Sequence, residues 1–338
     1  MIRTMKELCA LRGVSGHEDE VRSYISEKVS KFADEIVTDG MGNLMVFKKG
    51  ARRPERPLLI AAHMDEVGLI ITGITDEGFL RFDFAGGVDR RVIIGKRVNI
   101  GQQGIPGVVA LRAWHHFEGD EREKIPKTEA MLIDIGAAGR VEAEARVSLG
   151  DYAVFGGESL EFGDGFIKAR AIDDRFGCAV MIKLLEGELP CDAWFAFTVQ
   201  EELGTRGATV AAHRLAPEAA IVIEGTTAAD LPGVSDGKKI TVLGGGAVIP
   251  YMDRGAIYDR ELFARLTALA DERGIPWQTK SVIAGGTDGS AIQKSRGGVK
   301  TAVIAAPVRN IHSPACVAKI SDLENVHELA RAFLEEWN

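Results

Sequence analysis

The chain has 338 residues, of which 46% are hydrophobic, and a formal net charge of −8. This length and composition allow a globular protein with a sizeable core, in one large domain or two moderate ones. Acidic and basic residues are interspersed, which argues against the clustered Lys and Arg of a nucleic-acid-binding surface. No apolar run approaches the ~20 residues that span a bilayer, and the N-terminus shows no signal peptide. We therefore expect a cytoplasmic protein that contacts neither nucleic acid nor membrane.

The cysteine pattern limits the kind of metal site that is possible. The four cysteines are Cys9, Cys178, Cys191 and Cys316. They form no CxxC pair and stand in apolar or mixed contexts, which favours buried free thiols over disulfides or zinc ligands. A metal in this chain must therefore be held by histidine and carboxylate.

The first elements of the chain read as two helices, near residues 4–11 and 18–32. Ser15 and Glu18 have the spacing of a capping box in front of the second helix. A hairpin-like segment follows, and then a short apolar run at 57–62 that is typical of a strand buried in a parallel sheet.

Residues 67–166 show no helical period, only short strands separated by glycine-rich turns. Helices and apolar strands then alternate to the end of the chain. The helices are predicted near 174–186, 207–213, 258–273 and 322–337, and the strands at 193–199, 220–223 and 301–305. This alternation is typical of an α/β sandwich around a mostly parallel sheet. We predict a discontinuous catalytic α/β domain, residues 1–66 and 167–338, with a small β domain inserted at 67–166.

Five possible metal ligands follow apolar or strand-like segments. They are His63, Asp173, Glu202, Glu224 and His312. Sites in open α/β sheets gather at the carboxyl ends of the strands, so these side chains can converge. Each one alone has an ordinary structural explanation; Asp173, for example, could cap the helix that follows it. Their recurrence at strand ends favours a metal site.

The ligand chemistry indicates a pair of ions. Imidazole and carboxylate without thiolate suit Zn, Co or Mn. Five protein ligands are too many for one catalytic zinc, but they fit two ions that share a carboxylate. Such a site hydrolyses amides or phosphates.

Two short spacings add detail to this prediction. In an extended segment His63 and Asp65 lie on the same face, so Asp65 is expected to orient the His63 ring. Glu201 and Glu202 are adjacent and would point apart, so that one binds metal while the other acts as a general base. The residues alone leave open which glutamate has which role.

Six stretches are highly specific when taken together. They are AAHMDEVGLII, ARAIDDRFGC, VQEELGTRGA, IVIEGTTAADLPG, GGTDGSAIQKSRGGV and IHSP. Through them nearly the whole chain resembles the deblocking or glutamyl aminopeptidase family of dinuclear, cocatalytic-zinc metallopeptidases. Members of that family often form tetrahedral dodecamers, and some were once labelled endoglucanases. The resemblance implies a zinc-peptidase-like α/β/α sandwich whose inserted β domain is PDZ-like and serves in dimerisation or higher assembly.

The resemblance also divides the roles. It implies that His63 binds one ion, that Asp173 bridges both, that Glu202 and Glu224 bind one ion each, that His312 completes the second set, and that Glu201 is the base. It further implies a cis peptide between Asp173 and Asp174. Glu224 departs from the Asp that many relatives have at this position.

The resemblance extends to the substrate pocket. Gly286 and Asp288 are expected to line it, with Asp288 meeting the α-amine of the substrate. His116 is expected to reach the active site of a neighbouring subunit, while adjacent His115 and His116 in an extended segment would diverge rather than share a metal.

We therefore predict an aminopeptidase that acts on short peptides with two divalent ions per subunit, Zn first and Co or Mn as alternatives. It is expected to be a dimer-based homo-oligomer, up to a dodecamer. One alternative is a deacylase of small N-acyl compounds, but relatives of that kind place their extra domain after the base. A glycosidase needs two carboxylates and no metal, which leaves His63 and His312 unexplained. If the chain were a non-enzymatic scaffold, we would expect a metal ligand to be missing from the sequence, and none is missing.

Overall fold

The computed structural model describes residues 1–337, apart from the side chains of Trp114, Asp120 and Glu121. The helices are α1 (Ile2–Ala10), α2 (Asp19–Val29), α3 (Arg140–Glu144), α4 (Ile172–Glu186), α5 (Arg206–Leu215), α6 (Arg260–Arg273), α7 (Gly289–Ile292) and α8 (Ile320–Glu336). The strands are β1 (Glu35–Thr38), β2 (Leu44–Lys48), β3 (Leu58–His63), β4 (Gly68–Ile74), β5 (Leu80–Ala85), β6 (Arg97–Ile100), β7 (Ile105–Leu111), β8 (Met131–Asp134), β9 (Tyr152–Phe155), β10 (Leu160–Phe162), β11 (Phe166–Ala169), β12 (Ala193–Thr198), β13 (Ala219–Thr227), β14 (Ala247–Val248), β15 (Trp277–Gln278), β16 (Lys300–Val308) and β17 (Cys316–Lys319). None of the described helices has the length and apolar character needed to cross a membrane.

The central sheet has eight strands in the order β1-β2-β12-β3-β13-β16-β14-β15. The four middle strands, from β12 to β16, run parallel to one another. On one side β2 pairs antiparallel with β12, and β1 pairs antiparallel with β2; on the other side β14 pairs antiparallel with β16, and β15 pairs parallel with β14. The mixed α/β fold with a central sheet is therefore confirmed, and its parallel part lies at the centre.

The side chains of β3 show how the sheet is covered on both faces. Leu58, Ile60 and Ala62 pack into one hydrophobic cluster, which includes residues of α4 and α8. Leu59 and Ala61 pack into a second cluster, to which α5 contributes. Successive side chains in a strand point to opposite faces, so a strand covered by helices on both sides reads as a continuous apolar run.

The segment between β3 and β10 forms a closed barrel of six strands in the order β4-β5-β8-β7-β6-β9. Its interior is a separate hydrophobic cluster that includes Leu69, Val98, Ile133 and Phe155. Closure pairs the edges that an open sheet would leave exposed. After the barrel, β10 pairs with β11, and β11 pairs with β17 near the C-terminus, which gives an antiparallel sheet of three strands. The exact domain boundaries at 66/67 and 166/167 stay a prediction.

The predicted capping box in front of α2 is wrong. The Ser15 hydroxyl donates to Asp65 Oδ2 at 2.6 Å, and Glu18 Oε1 accepts from the backbone N–H groups of Gly16 and Gln200. Helix α2 begins at Asp19 without a side-chain cap. Both residues are buried and make tertiary contacts, which displace the local contacts that their spacing favours.

The four cysteines are free and buried, as predicted. Burial raises the pKa of Cys178, and its thiol donates to the backbone carbonyl of His63 at 3.2 Å. This thiol therefore supports the end of β3, where the candidate ligands begin.

Candidate active site

His63 is the last residue of β3, and its side chain is 1% exposed. The ring Nδ1 lies 3.1 Å from the carbonyl oxygen of Asp65 and 3.4 Å from its carboxylate. On the other side, Nε2 lies 3.2 Å from Glu224 Oε1 and 3.4 Å from Asp173 Oδ1. Burial alone would lower the pKa of His63, but the surrounding carboxylates raise it well above its ordinary value. Asp65 thus fixes the ring while Nε2 faces two acids.

His312 lies in a turn after β16, where its own φ is 58°. Its Nδ1 lies 2.9 Å from the carbonyl oxygen of Gly87, in the loop after β5. Its Nε2 lies 3.2 Å from Glu202 Oε1 and 3.5 Å from Asp173 Oδ2. Burial opposes the charged ring, but the contacts with Asp173 and Glu202 raise the pKa of His312 to about 9.

Asp173 lies between the two histidines, with one carboxylate oxygen toward each ring. Burial disfavours its charge, yet the two rings hold the pKa of Asp173 well below its ordinary value. The backbone N–H of Gly225 donates to Oδ1 at 3.2 Å, and a Cβ at this glycine would lie only 2.7 Å from the same oxygen. The close approach therefore requires glycine at 225. The peptide between Asp173 and Asp174 is cis, as the resemblance implied.

Glu201 and Glu202 follow β12 in a turn, not in the extended segment that we expected. Gln200 has a φ of 55°, and the next two backbone N–H groups donate to Asp65 at 3.0 and 3.1 Å. The two side chains nevertheless differ in their surroundings: Glu202 faces His312, whereas Glu201 lines a cavity beside the ligand cluster. Burial raises the pKa of both glutamates, that of Glu202 to about 8.

The donor set fits divalent cations. Ligand atoms of His63, Asp173 and Glu202 lie within 4.8 Å of one another, and so do those of His63, Asp174 and Glu224. Asp174 Oδ2, Glu202 Oε1 and Glu224 Oε2 are buried without a hydrogen-bond partner. The two imidazolium rings supply less positive charge than the four carboxylates carry negative charge. Buried charges without partners are costly. Bound cations would satisfy both the charge and the free oxygens.

The distances divide these ligands in two ways. When ligand atoms are grouped by lying within 4.8 Å of one another, His63 belongs to both resulting groups. The pairwise contacts instead form two separate sets. In one set His63 Nε2 lies near Glu224 and Asp173 Oδ1, and in the other His312 Nε2 lies near Glu202 and Asp173 Oδ2. We prefer the second division because a single Nε2 lone pair binds only one ion.

Sequence reasoning missed Asp174 as a further ligand candidate. Its Oδ1 accepts from the backbone N–H of Gly177 at 2.9 Å, Oδ2 is buried without a hydrogen-bond partner, and one of the two oxygens lies in the group with His63 and Glu224. Burial raises the pKa of Asp174 well above its ordinary value. Its position at the start of a helix indicates a capping residue, which hid this second possibility.

A cavity of about 120 Å³ opens beside the ligand cluster. Its walls are formed by Asp173, Glu201, Glu224, Gly225, Thr226, Thr227, Lys280, Ala284, Gly285, Gly286, Thr287, Ile311 and His312. Gly286 lies on this wall, and its contact with a substrate stays a prediction. Lys280 was not singled out from the sequence, because a lysine in a polar loop ordinarily indicates a solvated residue.

Asp288 and His116, the other predicted substrate contacts, are placed differently. Asp288 is 1% exposed, accepts a hydrogen bond from the Thr198 hydroxyl, and is absent from the described cavity lining. His116 is exposed in the short turn Trp114–His116 of the barrel. Its ring centroid lies 4.1 Å from that of His115, so the prediction that these rings diverge is wrong, because the segment is a turn and not extended. The subunit-bridging role of His116 stays a prediction.

Comparison with known proteins gives the family. The model of the M42 glutamyl aminopeptidase family matches residues 42–329. The chain belongs to this family. As an M42 peptidase it is a metal-dependent hydrolase of peptide bonds, which confirms the reaction class predicted from the motifs.

The match extends over whole chains. A protein of Acetivibrio thermocellus is 39% identical over 332 residues, which is 97% of each chain. The structure of an aminopeptidase from the archaeon Desulfurococcus kamchatkensis superposes with a TM-score of 0.95 at 36% identity, covering 100% of this M42 peptidase and 95% of that chain. The TET1 peptidase of Pyrococcus horikoshii, which assembles into a tetrahedron or a large octahedral shell, superposes with a TM-score of 0.88 at 35% identity, covering 99% of each chain.

Proposed function

We propose that this M42 peptidase is a two-metal aminopeptidase that releases the N-terminal residue from short peptides. The observation that carries the proposal is the position of Asp173, whose two carboxylate oxygens face the Nε2 atoms of His63 and His312. A carboxylate in this position is suited to bridge two ions.

Each ion would then have its own additional ligands. His63 and Glu224 would hold one ion, and His312 and Glu202 the other. Glu224 is one methylene longer than aspartate, and its Oε1 reaches within 3.2 Å of His63 Nε2. Imidazole and carboxylate favour Zn, with Co or Mn as alternatives. Bound there, such ions polarise a peptide carbonyl and lower the pKa of water.

Glu201 is the proposed general base. It lines the cavity, and burial raises its pKa, so its carboxylate is suited to hold a proton during the reaction. Glu201 takes a proton from water as the water oxygen bonds to the carbonyl carbon. It then returns that proton to the amide nitrogen as the C–N bond breaks, which yields a free amino acid and a shortened peptide.

Asp65 acts through its neighbours. Its backbone carbonyl fixes the His63 ring, and its carboxylate accepts hydrogen bonds from the backbone N–H groups of Glu201 and Glu202. Its own carboxylate is fully buried, so its proposed part in the reaction is to position base and ligand together.

The size of the cavity supports removal of one residue at a time. A volume of about 120 Å³ accommodates roughly one amino-acid side chain. The backbone beyond the scissile bond would lie outside. Gly286 on the wall allows the substrate backbone to approach closely, and contact of Asp288 with the substrate amine stays a prediction.

The assembly of the P. horikoshii relative supports a homo-oligomer for this chain as well. We expect a dimer-based assembly, up to a dodecamer, in which the barrel within residues 67–166 provides PDZ-like subunit contacts. A cytoplasmic location stays a prediction from the sequence.

The test combines metal content with blocked and unblocked substrates. After chelation, hydrolysis of aminoacyl-p-nitroanilides should stop, and Zn, Co or Mn should restore it with two ions per chain by elemental analysis. N-acetylated anilides and cellulose should remain uncleaved. Activity confined to the acetylated substrates would assign a deacylase instead, and cleavage that persists in metal-free protein would refute the proposal.

A further inference from the structure

A second cavity lies outside the cluster of candidate metal ligands, as a groove between α5 and the segment that follows α7. Its polar lining residues are Thr205, Thr209 and His213 on one side and Lys294, Ser295 and Arg296 on the other. Its volume is about 580 Å³, which lies in the range of small-molecule binding pockets. It shares no lining residue with the cavity beside the ligand cluster. We call it the α5–α7 groove.

The charged side chains that line the α5–α7 groove are all basic. They belong to His213, Lys294 and Arg296, and the other lining residues are threonine, serine, valine and alanine. Among the side chains that the structure describes, no carboxylate forms an ion pair with any of these three. The chain as a whole has a net charge of −8, so this lining differs in sign from the rest of the protein. A cavity lined by one sign of charge concentrates ions of the opposite sign, which here are anions.

Arg296 joins the two sides of the groove. Its Nε donates to the backbone carbonyl of His213 in α5 at 2.6 Å. Its φ of 51° lies in the left-handed region that residues other than glycine rarely adopt, so its surroundings hold it in place. A guanidinium has five N–H donors, and this contact uses one of them. The two terminal NH₂ groups are left to bind two oxygens of one ligand.

Ser295 adds a buried hydroxyl between these two cations in the chain. The residue is 9% exposed, and its Oγ is buried without a hydrogen-bond partner. A buried hydroxyl without a partner costs free energy, and an acceptor oxygen of a ligand would remove that cost. On the opposite side, the Thr205 side chain lines the groove without capping α5. Its hydroxyl and the positive end of the α5 dipole add to the attraction for an anion.

The number of donors indicates which anion fits. Three basic side chains and two hydroxyls exceed what the single charge of a carboxylate can satisfy. A phosphate group carries a charge of about −1.5 to −2 at neutral pH and three acceptor oxygens. The groove is larger than a phosphate ion requires, and Val210 and Ala291 form an apolar part of its lining.

We propose that the α5–α7 groove binds the phosphate group of a small phosphomonoester, whose organic part lies against the apolar lining. Free phosphate offers the same chemistry, and the test separates the two sources. The inference does not depend on the proposed aminopeptidase mechanism.

Thr205 connects the groove with the turn that carries the proposed base. Its backbone N–H donates to the carbonyl of Glu201 at 2.9 Å, whereas the Glu201 side chain lines the other cavity. The two cavities are therefore separate, and a phosphomonoester in the groove is expected to bind at the same time as a peptide substrate.

The first experiment measures binding to the metal-loaded protein by isothermal titration. Ribose 5-phosphate and ribose are a matched pair that differs in the phosphate group. We expect ribose 5-phosphate to bind at least about tenfold more tightly, because charge-assisted hydrogen bonds contribute that much. Lys294→Met and Arg296→Met should each weaken its binding by about tenfold. Lys31→Met, at an exposed position outside the groove, is the control and should leave binding unchanged.

Ser295→Ala gives a readout in which binding and stability do not change together. Loss of the hydroxyl should weaken the binding of ribose 5-phosphate several-fold. The protein without ligand should be at least as stable as the parent in urea unfolding, because this hydroxyl has no partner to lose. A less stable variant with unchanged binding would show that Ser295 serves the fold, and it would overturn the assignment of this hydroxyl to a ligand.

Four outcomes would overturn the phosphate site. Ribose 5-phosphate could bind no more tightly than ribose, or its binding could persist unchanged in Lys294→Met and Arg296→Met, which would place the phosphate at the metal ions. Acetate could bind as tightly as inorganic phosphate, which would indicate a general attraction for anions. A changed molar mass of the two variants in light scattering would assign the groove to a contact between copies of the chain. Inorganic phosphate that binds as tightly as ribose 5-phosphate, and is lost in the same variants, would confirm the site and identify the free ion as its occupant.

Discussion

The carboxylate of Asp65 accepts a hydrogen bond from the backbone N–H of Glu201 at 3.0 Å, which joins the segment of the proposed base to the strand that ends at His63. Asp65 also accepts from Glu202 and from the Ser15 hydroxyl. We expect Asp65→Asn to lower kcat by about 100-fold, because an amide NH₂ would face an N–H donor and small displacements of catalytic groups cost this much. The unpaired donor should also lower the free energy of unfolding by about 1–3 kcal/mol. Steady-state kinetics and urea unfolding measure the two effects.

Ser15→Ala should have a smaller effect on kcat than Asp65→Asn. It removes one donor and leaves both backbone contacts of Asp65 intact, so kcat should fall several-fold less than in Asp65→Asn. An equal loss in both variants would mean that the Asp65 carboxylate positions Glu201 only while the Ser15 hydroxyl holds it in place.

Replacement of the proposed base should separate metal binding from chemistry. Glu201→Gln keeps the size of the side chain but cannot accept the proton, so we expect kcat to fall by about 10²–10⁴-fold. Metal content should stay at the parent level, because Glu201 is not among the proposed ligands. Glu77→Gln, at an exposed position of the barrel, is the matched control. Normal turnover in Glu201→Gln would remove this residue from the mechanism.

The close approach of Gly225 to Asp173 gives a steric test of the bridging carboxylate. A methyl group at 225 would lie 2.7 Å from Asp173 Oδ1, so Gly225→Ala should displace the carboxylate and reduce both metal content and kcat/KM by at least about tenfold. At Gly237 an added Cβ meets no atom within 4 Å, and Gly237→Ala should behave like the parent protein. Full metal occupancy in Gly225→Ala would contradict the bridging role.

Metal removal should also weaken the fold. Buried carboxylates that lose their cations repel one another, so the metal-free protein is expected to unfold at a lower temperature. Zn at 100 times its dissociation constant should stabilise the protein by about 2.7 kcal/mol for each of the two proposed sites. Scanning calorimetry with and without Zn measures this shift. At the same Zn concentration the shift should shrink in Glu224→Gln, and an identical shift in that variant would exclude Glu224 as a ligand.

A buried ion-pair network supports the N-terminal segment behind the site. Glu66 pairs with Arg170 and Arg175, and Arg175 also donates to the carbonyl of Leu8 at 2.7 Å. Glu66→Gln should lower the free energy of unfolding by about 3–5 kcal/mol, because two guanidinium groups would remain buried without a counter-ion.

The surface pair of Lys183 and Glu186 provides the comparison for that network. Glu186→Gln should change the free energy of unfolding by less than about 1 kcal/mol, since exposed ion pairs contribute little. Similar effects of the two substitutions in urea unfolding would show that burial does not determine the strength of the Glu66 network.

The central sheet and its helices could be predicted because apolar periodicity is a local signal. The predicted run at 57–62 corresponds to β3, and the run at 301–305 lies within β16. His63 is the last residue of β3, but Glu224 lies within β13 and Asp173 lies in α4, which follows β11 of the separate three-stranded sheet. Strand ends therefore account for only part of the proximity of these three residues. The closed order of the barrel strands did not follow, because pairing between distant strands leaves little trace in local patterns.

The contacts that position the site residues could not be predicted from the sequence for the same reason. Ser15 and Glu18 have an ordinary helix-start spacing, and only the fold shows that they contact Asp65 and Gln200 instead. Lys280 has no neighbouring sequence feature that marks it as buried. Its environment depends on the 284–287 segment and on β13, which meet only in the folded chain.

The hydrogen bond between His312 and Gly87 has a consequence for the inserted barrel. A carbonyl oxygen only accepts, so this contact keeps the proton on Nδ1 and selects the tautomer whose Nε2 carries a free lone pair. The carbonyl belongs to the loop after β5, so the barrel segment sets the chemical form of a proposed metal ligand beside the central sheet. A chain shortened by removal of the barrel would leave both tautomers of His312 populated, and its affinity for a cation at that ring would fall accordingly.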